Sequence, residues 1–560
     1  MPPNSVARPR VTLPAIAAII LFILSFLVYA KFYTSLALGI EADTAQVVYD
    51  SVRDRLMTVA AAVSAAVALM SLCAPALLRA AGATPLRAIM MIAVALFAFA
   101  AGTMPPLAAV LPAEALRDFL YDGAVLLLVS LLLVFEALLL LAAAPRRGAS
   151  EPASAVAGMR AALFLFMLAE ELSRSFLPLY TRELYTPVPG LSETLMMGLP
   201  IGLFMALVAV FTPFAGAWAD RFGSRCTLLL GTLPAVAGFA GTALAGSLTE
   251  LLLWRSACAL GYAVMFIGAQ GFIARHTPAG QRARGMAQFV AAVVVAGLCG
   301  APLGGILADL LGYRATFAAS ALLALAAVAA ATLLPADRAE RAQDRRFRLG
   351  DVGGLLANPR FVALLLFSSV PTKLMLTGYL FYLVPVSLHA AGETPAGIGR
   401  LMMTYGLIIV LLGPWVSRLA DRTGRHALFA GIGGLVGGAG TLAVIQDPGV
   451  PGILAGIAAL GVAHALNNAT QLALVPEVCR TECARMGESS VFAVYRLLER
   501  GGSVAGPLLA AAVADRFGSQ AALVTLGGLG MLCGTAFCAV FLLAPAAAPA
   551  SRTAGEGAAP

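Results

Sequence analysis

Ala219-Asp220-Arg221-Phe222-Gly223 closes one long apolar run, and the same pattern, Ala-Asp-x-x-Gly, closes three others. The further copies are Ala308-Asp309-Leu310-Leu311-Gly312, Ala420-Asp421-Arg422-Thr423-Gly424 and Ala514-Asp515-Arg516-Phe517-Gly518. Their aspartates recur at intervals of 89, 112 and 94 residues, and the widest interval holds the polar stretch from Ala336 to Arg360. Self-similarity at a fixed period marks a repeat architecture. Each copy follows the second of three apolar runs, so the repeating unit has three runs.

Composition says what those runs are. Of 560 residues, 60% are hydrophobic and 12% are charged. The mean hydropathy is +0.90. A soluble domain carries about 25% charged residues, so this chain cannot cover a water-facing surface of its size. The runs are continuous rather than alternating, which argues against a strand barrel. They are rich in Ala and Leu, which favour helix, and helices satisfy their own backbone in hydrocarbon. The expected fold is all-α, a polytopic bundle of membrane helices.

A crossing helix needs about 20 apolar residues. By that measure residues 1–150 hold four spans, at about 12–33, 56–78, 86–105 and 119–144. The first apolar run is longer than the ~7–15 residues of a signal-peptide core and reads as a retained span, with cleavage as the other reading. Twelve more spans follow, at about 157–180, 196–217, 226–246, 250–273, 285–307, 315–335, 360–385, 396–417, 426–445, 451–475, 488–512 and 520–543. The expected organisation is an N-terminal membrane region (1–150) and a first six-helix half (151–337). A basic linker (338–359), a second six-helix half (360–545) and a disordered tail (546–560) follow. With three spans per unit, successive units cross in opposite senses. That predicts inverted pairs inside each half, as in many secondary transporters.

Charge sets the orientation. The net charge is +8, which in a soluble protein would suggest nucleic acid. Here the arginines sit in short loops, and nucleic acid is not expected as a partner. With the N-terminus in the cytoplasm, the inside loops carry Arg79, Arg87, Arg146, Arg147, Arg221, Arg225, Arg275, Arg282, Arg284, Arg422, Arg425, Arg480, Arg485 and the basic linker. Outside loops carry acids such as Glu41, Asp43, Glu393 and Asp447. This satisfies the positive-inside rule and places both termini in the cytoplasm of a cell (inner) membrane protein.

The loop motifs are specific enough to suggest a family. Gly216-x-x-x-Asp220-Arg221-x-Gly223-x-Arg225 resembles the signature loop between the second and third helices of the major facilitator superfamily. Asp421-Arg422-x-Gly424-Arg425 resembles its weaker copy, with Ser417 where the first glycine would stand. Gly297-x-x-Gly300-Ala301-Pro302-Leu303-Gly304-Gly305 resembles the fifth-helix motif of exporters in that superfamily, departing from it at Ala301. Gly506-Pro507 is a fainter echo in the eleventh span, and Arg255 resembles the basic residue of a further motif whose glycine is displaced to Gly261. The resemblance covers about 155–545 and leaves residues 1–150 outside. It implies two six-helix halves and alternating access, with the motif loops as gates. It also implies that Asp220 meets the N-terminus of the eleventh span to close the cytoplasmic side. Glycines at 297, 300, 304 and 305 let helices approach closely in lipid. Arg221 and Arg225 could instead anchor the loop at phosphate headgroups.

Polar residues inside spans cost energy and need reasons. They concentrate in the first span of each unit: Glu170, Glu171 and Arg174; Arg255 and Gln270; Lys373, Thr377, Tyr379 and Tyr382; His464, Asn467, Asn468 and Gln471. The family resemblance implies that these spans line a substrate cavity. The last set falls at i, i+3, i+4 and i+7, one helical face, suited to binding a solute or to holding helices together. Glu170 and Arg174, four apart, could neutralise each other, leaving Glu171 without a local partner. A poorly solvated carboxyl can trade protons, so Glu170 or Glu171 is the expected proton-coupling site. A structural ion pair is the other reading. Arg255, near the end of its span, could snorkel.

The expected function is transport of a small solute by alternating access, driven by an ion gradient with protons as the ion. No nucleotide loop of the Gly-x-x-x-x-Gly-Lys-Ser/Thr type occurs, so direct use of ATP is not expected. The fifth-helix motif leans toward efflux. A membrane sensor built on a transporter-like core is the alternative, motivated by the added N-terminal spans. No catalytic constellation stands out, so an enzyme is not expected. No cofactor, disulfide framework or metal is expected either. Cys479 and Cys483 lie four apart, but no His or second Cys pair completes a metal site. Membrane lipid and a monomeric state complete the expectations.

Overall fold

The computed structural model describes residues 151–543 apart from 188, 278–281, 333 and 336–348. The four N-terminal spans, the first half of the basic linker and the tail lie outside the described residues. Among the described residues there is no strand, and ten helices are long and apolar enough to cross a membrane. The fold is the expected all-α membrane bundle.

In chain order the elements are α1 Glu151–Glu171, α2 Leu177–Glu183, α3 Glu193–Phe222, α4 Ser224–Leu244, α5 Leu248–His276, α6 Arg282–Leu311 and α7 Tyr313–Thr332. Then come α8 Leu349–Leu356, α9 Pro359–Ala390, α10 Pro395–Thr423, α11 His426–Thr441, α12 Val450–Val478, α13 Arg480–Met486, α14 Glu488–Phe517 and α15 Ser519–Cys538. Helix starts are capped where the sequence allows. Ser192 accepts from the Leu195 N–H at 3.2 Å, and Asn358 accepts from the Arg360 and Phe361 N–H groups at 3.1 and 3.2 Å. Each replaces a partner that the first turn of a helix lacks.

The chain forms two compact units. Among the described residues, one unit lies within 1–344 together with 388–406, and the other within 345–387 and 407–560. Within the first, α4 packs on α5 and α7, and α1 packs on α6 and α7. Within the second, α11 packs on α12 and α15, and α14 packs on α9. The short α8 is tied to the second unit through Leu355. That side chain is fully buried with Phe361, Leu364, Val475, Val491 and Tyr495.

The repeated pentapeptide is a helix stop with one backbone solution. Gly223, Gly312, Gly424 and Gly518 all have positive φ, at 79°, 85°, 63° and 86°. In three copies the glycine N–H bonds back to the alanine carbonyl of the same motif: Gly312 to Ala308, Gly424 to Ala420 and Gly518 to Ala514, each at 2.9 Å. The next helix begins within two residues of each glycine. A residue with a Cβ resists this conformation, which is why glycine recurs.

The structure adds a second regularity. The residue two beyond the turn glycine reaches the far end of another helix. Arg225 donates to the Thr332 carbonyl at the end of α7, and Arg314 donates to the Ala245 carbonyl at the end of α4 at 3.1 Å. The two contacts are reciprocal: the start of α4 holds the end of α7, and the start of α7 holds the end of α4. That is the geometry an inverted pair requires. Gln520 makes the corresponding contact in the second unit, donating to Val444 at 3.4 Å.

The turn predicts a stability effect. Gly518→Ala should cost about 1–3 kcal/mol, because φ is 86° and ψ is 163° there. Gly528→Ala, in the same helix with open space around it, should be neutral or slightly stabilising. Thermal unfolding of the two purified variants in detergent makes the comparison.

Candidate functional site

The first span is not continuous. α1 ends at Glu171, residues 172–176 form turns, and α2 resumes at Leu177. The acids therefore sit at a helix end, and Arg174 lies beyond it.

This break changes the pairing that helical spacing suggests. Arg174 binds Glu171, not Glu170: Nε to Oε2 and Nη2 to Oε1, both at 3.1 Å. The Arg174 N–H also donates to the Glu171 carbonyl at 3.2 Å, closing a tight turn. Glu170 is held instead by Arg255 of α5, 85 residues away, through both guanidinium nitrogens at 3.2 and 2.5 Å. Arg255 is 2% exposed and Glu170 1% exposed, so Arg255 does not snorkel to the interface. The ring of Phe204 covers the guanidinium at 4.7 Å, and Tyr262 stacks edge-on against Phe204 at 5.6 Å. A planar guanidinium suits both the carboxylate fork and the aromatic face.

Glu171 occupies a different surface. Its side chain is 18% exposed and rests on the glycine face of α6. A Cβ at Gly300 would collide with the Glu171 side chain and backbone, and one at Gly304 with the Leu172 backbone. Gly297 lies 4.0 Å from the Glu171 carboxylate by the same measure. The exporter-like motif is thus the seat of the acid, and close packing of this kind requires small residues. Pro302 lies inside α6 and removes one backbone donor there.

In the second unit most of the polar side chains tie helices together. Gln471 donates to Ser368 and Thr372 at 2.9 and 3.1 Å, and Asn467 donates to Thr372 at 3.2 Å. Thr377 donates to the Ser503 carbonyl at 3.0 Å, and Tyr379 to the Ile453 carbonyl at 3.1 Å. The His464 Nδ1 lies 3.1 Å from the Leu460 carbonyl. Tyr382 is fully buried. Asn468 is exposed and Lys373 half-buried, so the stripe on α12 divides: Asn467 and Gln471 face α9, and Asn468 does not. α9 itself carries two π turns, Leu365–Ser369 and Met375–Leu383. They bracket Lys373, and such turns often mark functional positions. A small crevice lies beside this network, lined by Ser368, Thr372, His464 and Asn467 with Gly433 and Gly437.

The motif loops are placed as follows. Arg221 is exposed and lies 5.3 Å from the Phe222 ring, and Arg225 reaches Thr332. The side chain of Asp220 lies outside the described residues. Gly216 has open space where a Cβ would stand. Asp421, Arg422, Gly424 and Arg425 are all exposed at the second copy. On α14, Arg496 pairs with Glu499 at 2.9 Å, and Glu499 is buried.

Among the described residues no group of three His, Cys, Asp or Glu side chains is placed to hold a metal ion. Cys479 is buried in the cluster around Leu355 and Val475, and burial pushes its thiol up to about 12. A thiol held protonated is a poor metal ligand.

Comparison with known proteins agrees with this geometry. A family model described as Major Facilitator Superfamily matches residues 153–490 and 375–560. The multidrug resistance protein MdtG of Citrobacter koseri is 27% identical over 379 residues, which are 65% of this chain and 89% of that protein. MdtG of Klebsiella pneumoniae is also 27% identical, covering 65% of this chain and 88% of its own. Among solved structures, a bacterial homologue of the human lysosomal transporter Spinster superposes with a TM-score of 0.57 at 16% identity, covering 70% of this chain and 98% of that one. A D-xylose–proton symporter superposes with a TM-score of 0.55 at 15% identity, covering 68% and 96%. At such identities the structural likeness speaks to the fold.

The buried pair yields a stability prediction. Arg255→Met alone should cost about 3–5 kcal/mol, because it strands the Glu170 charge out of water. Glu170→Leu alone should do the same to Arg255. The double variant should cost less than the two together, and a double-mutant cycle on unfolding in detergent reads that coupling.

Proposed function

We propose, for a chain that belongs to the major facilitator superfamily, that it exports a small amphiphilic, anionic or zwitterionic solute and that protons drive the export. The chain is a polytopic membrane transporter of small molecules and not an enzyme. The export direction draws on the likeness to multidrug resistance proteins and on the exporter-like glycines of α6. Proton coupling draws on the two acids.

The observation that carries this reading is the unequal setting of Glu170 and Glu171. Glu170 is locked in a buried fork with Arg255, where losing either partner is costly. Glu171 is partly accessible and held by one neighbouring cation, Arg174. The deprotonated Glu171 carboxylate can pair with a cationic group of an amphiphilic or zwitterionic cargo. A proton on Glu171 removes that charge, so the cargo leaves as the proton binds. Proton and solute compete for one carboxylate, and that competition gives exchange of proton for solute, with Glu171 the coupling acid and Glu170 its anchor. On the second unit, Lys373 and Asn468 are the polar groups left accessible to a solute.

The motif loops, with Asp220 and Asp421 at their centres, act as gates in this reading. In this reading the protein lies in the cell (inner) membrane, and the arginine-rich loops support an orientation with both termini in the cytoplasm. There it works as a monomer among lipids.

Proteoliposomes with an imposed pH gradient and a panel of amphipathic dyes test the coupling. Wild-type protein should move a dye against its gradient. Glu171→Gln should lose gradient-driven flux by about tenfold or more, since a permanently neutral side chain cannot trade its proton. Undiminished gradient-driven flux in Glu171→Gln would rule the assignment out.

A further inference from the structure

We propose that Asp309 is a positioning residue for the transport cycle: its carboxylate latches the start of α10 on the side opposite the Asp220 loop. Asp309 is the aspartate of the second pentapeptide copy, at the end of α6. Its Oδ2 accepts the Ala396 N–H at 2.9 Å. Ala396 stands in the first turn of α10, where backbone N–H groups lack intrahelical partners and the helix end carries partial positive charge. Thr394 accepts the next N–H, that of Gly397, at 3.2 Å. One free donor is thus met locally and another by a residue 87 positions away.

The surrounding packing is specific to this approach. A Cβ at Gly305 would strike the Pro395 carbonyl, and one at Gly399 would strike the Ala301 carbonyl and Pro302. Backbone meets backbone on both sides of the hydrogen bond. Segment 388–406 belongs to the first compact unit, whereas α10 from Leu407 onward belongs to the second. The latch therefore holds the segment that must change company if the outer side is to open.

The second copy also differs from the others in a way that fits this task. Asp220, Asp421 and Asp515 are each followed by arginine, whereas Asp309 is followed by Leu310 and Leu311. Its carboxylate has no adjacent cation to satisfy it, and the helix end takes that place. Orientation from the arginine-rich loops puts this contact outside. The proposal depends on alternating access but not on the cargo or on proton coupling.

The test needs neither cargo nor gradient. A cysteine is introduced as Ile398→Cys, a fully buried position two residues past Ala396 in α10, and its labelling by a membrane-impermeant maleimide is timed in intact cells. The chain without this cysteine supplies the background. Asp309→Asn should raise the labelling rate about two- to fivefold, the scale of one charge at a helix terminus. Ala396→Pro removes the donor within the first helical turn, where proline is tolerated, and should raise the rate to a similar extent. The double variant should add little to either, because both delete one interaction. Asp309→Glu should retain part of the slow labelling. Unchanged or slower labelling in both single variants, with wild-type melting temperatures, would overturn the latch. So would fully additive effects. Transport data play no part, so a failure here is distinct from a failure of the proton-coupling assignment.

Discussion

The interaction on which the first unit depends is the two-pronged contact between Glu170 and Arg255, both removed from water. Two charges there are costly unless each satisfies the other. The contact therefore fixes where the last turn of α1 lies against α5. Once Glu170 is committed to α5, its neighbour Glu171, about 100° round the helix, is turned toward another surface. That surface is the glycine face of α6. One buried pair thus sets the surroundings of the second acid, and the two carboxylates acquire different partners through adjacency alone.

The fold was legible because its signals are redundant. Apolar runs of membrane length, low charge and a fourfold pentapeptide agree with one another, and the glycines of that pentapeptide show why it recurs. Each needs positive φ to end one helix and start the next. The reciprocal contacts of Arg225 and Arg314 were also written in the sequence, two residues after a glycine in each copy. They could not be singled out there, because an arginine in a loop serves orientation, lipid or a distant carbonyl equally well. Only the meeting of α4 with α7 decides between them.

The site was legible in composition and not in pairing. Spacing put Arg174 four residues after Glu170, one turn along a helix. That rule holds only while the helix continues, and α1 stops at Glu171. The interruption moved Arg174 onto Glu171 and left Glu170 to a partner far along the chain. For Arg255 the sequence leaves snorkelling open, because position within a span says nothing about what faces it. Likewise the α12 stripe has correct helical periodicity, yet Asn467 and Gln471 spend their donors on Ser368 and Thr372. Periodicity says which residues share a face; it does not say what that face meets.

α6 connects the acid to the latch. Gly300, against Glu171, and Asp309, against Ala396, lie nine residues apart on one helix, about 13 Å along its axis. Between them Pro302 deletes one backbone hydrogen bond, the usual place for a helix to bend. The proline sits where the helix is clasped on both flanks, with Glu171 and Leu172 on one side and Pro395 to Gly399 on the other. Backbone contacts that tight do not compress: a shift of α1 must slide α6 or bend it. Either movement carries Asp309 relative to the α10 terminus, and a hydrogen bond of 2.9 Å is lost within about an ångström of displacement. The small residues of the motif then have a mechanical reason to be small. On the proposed reading, they leave no soft side chain between the group that would change charge and the contact that would open.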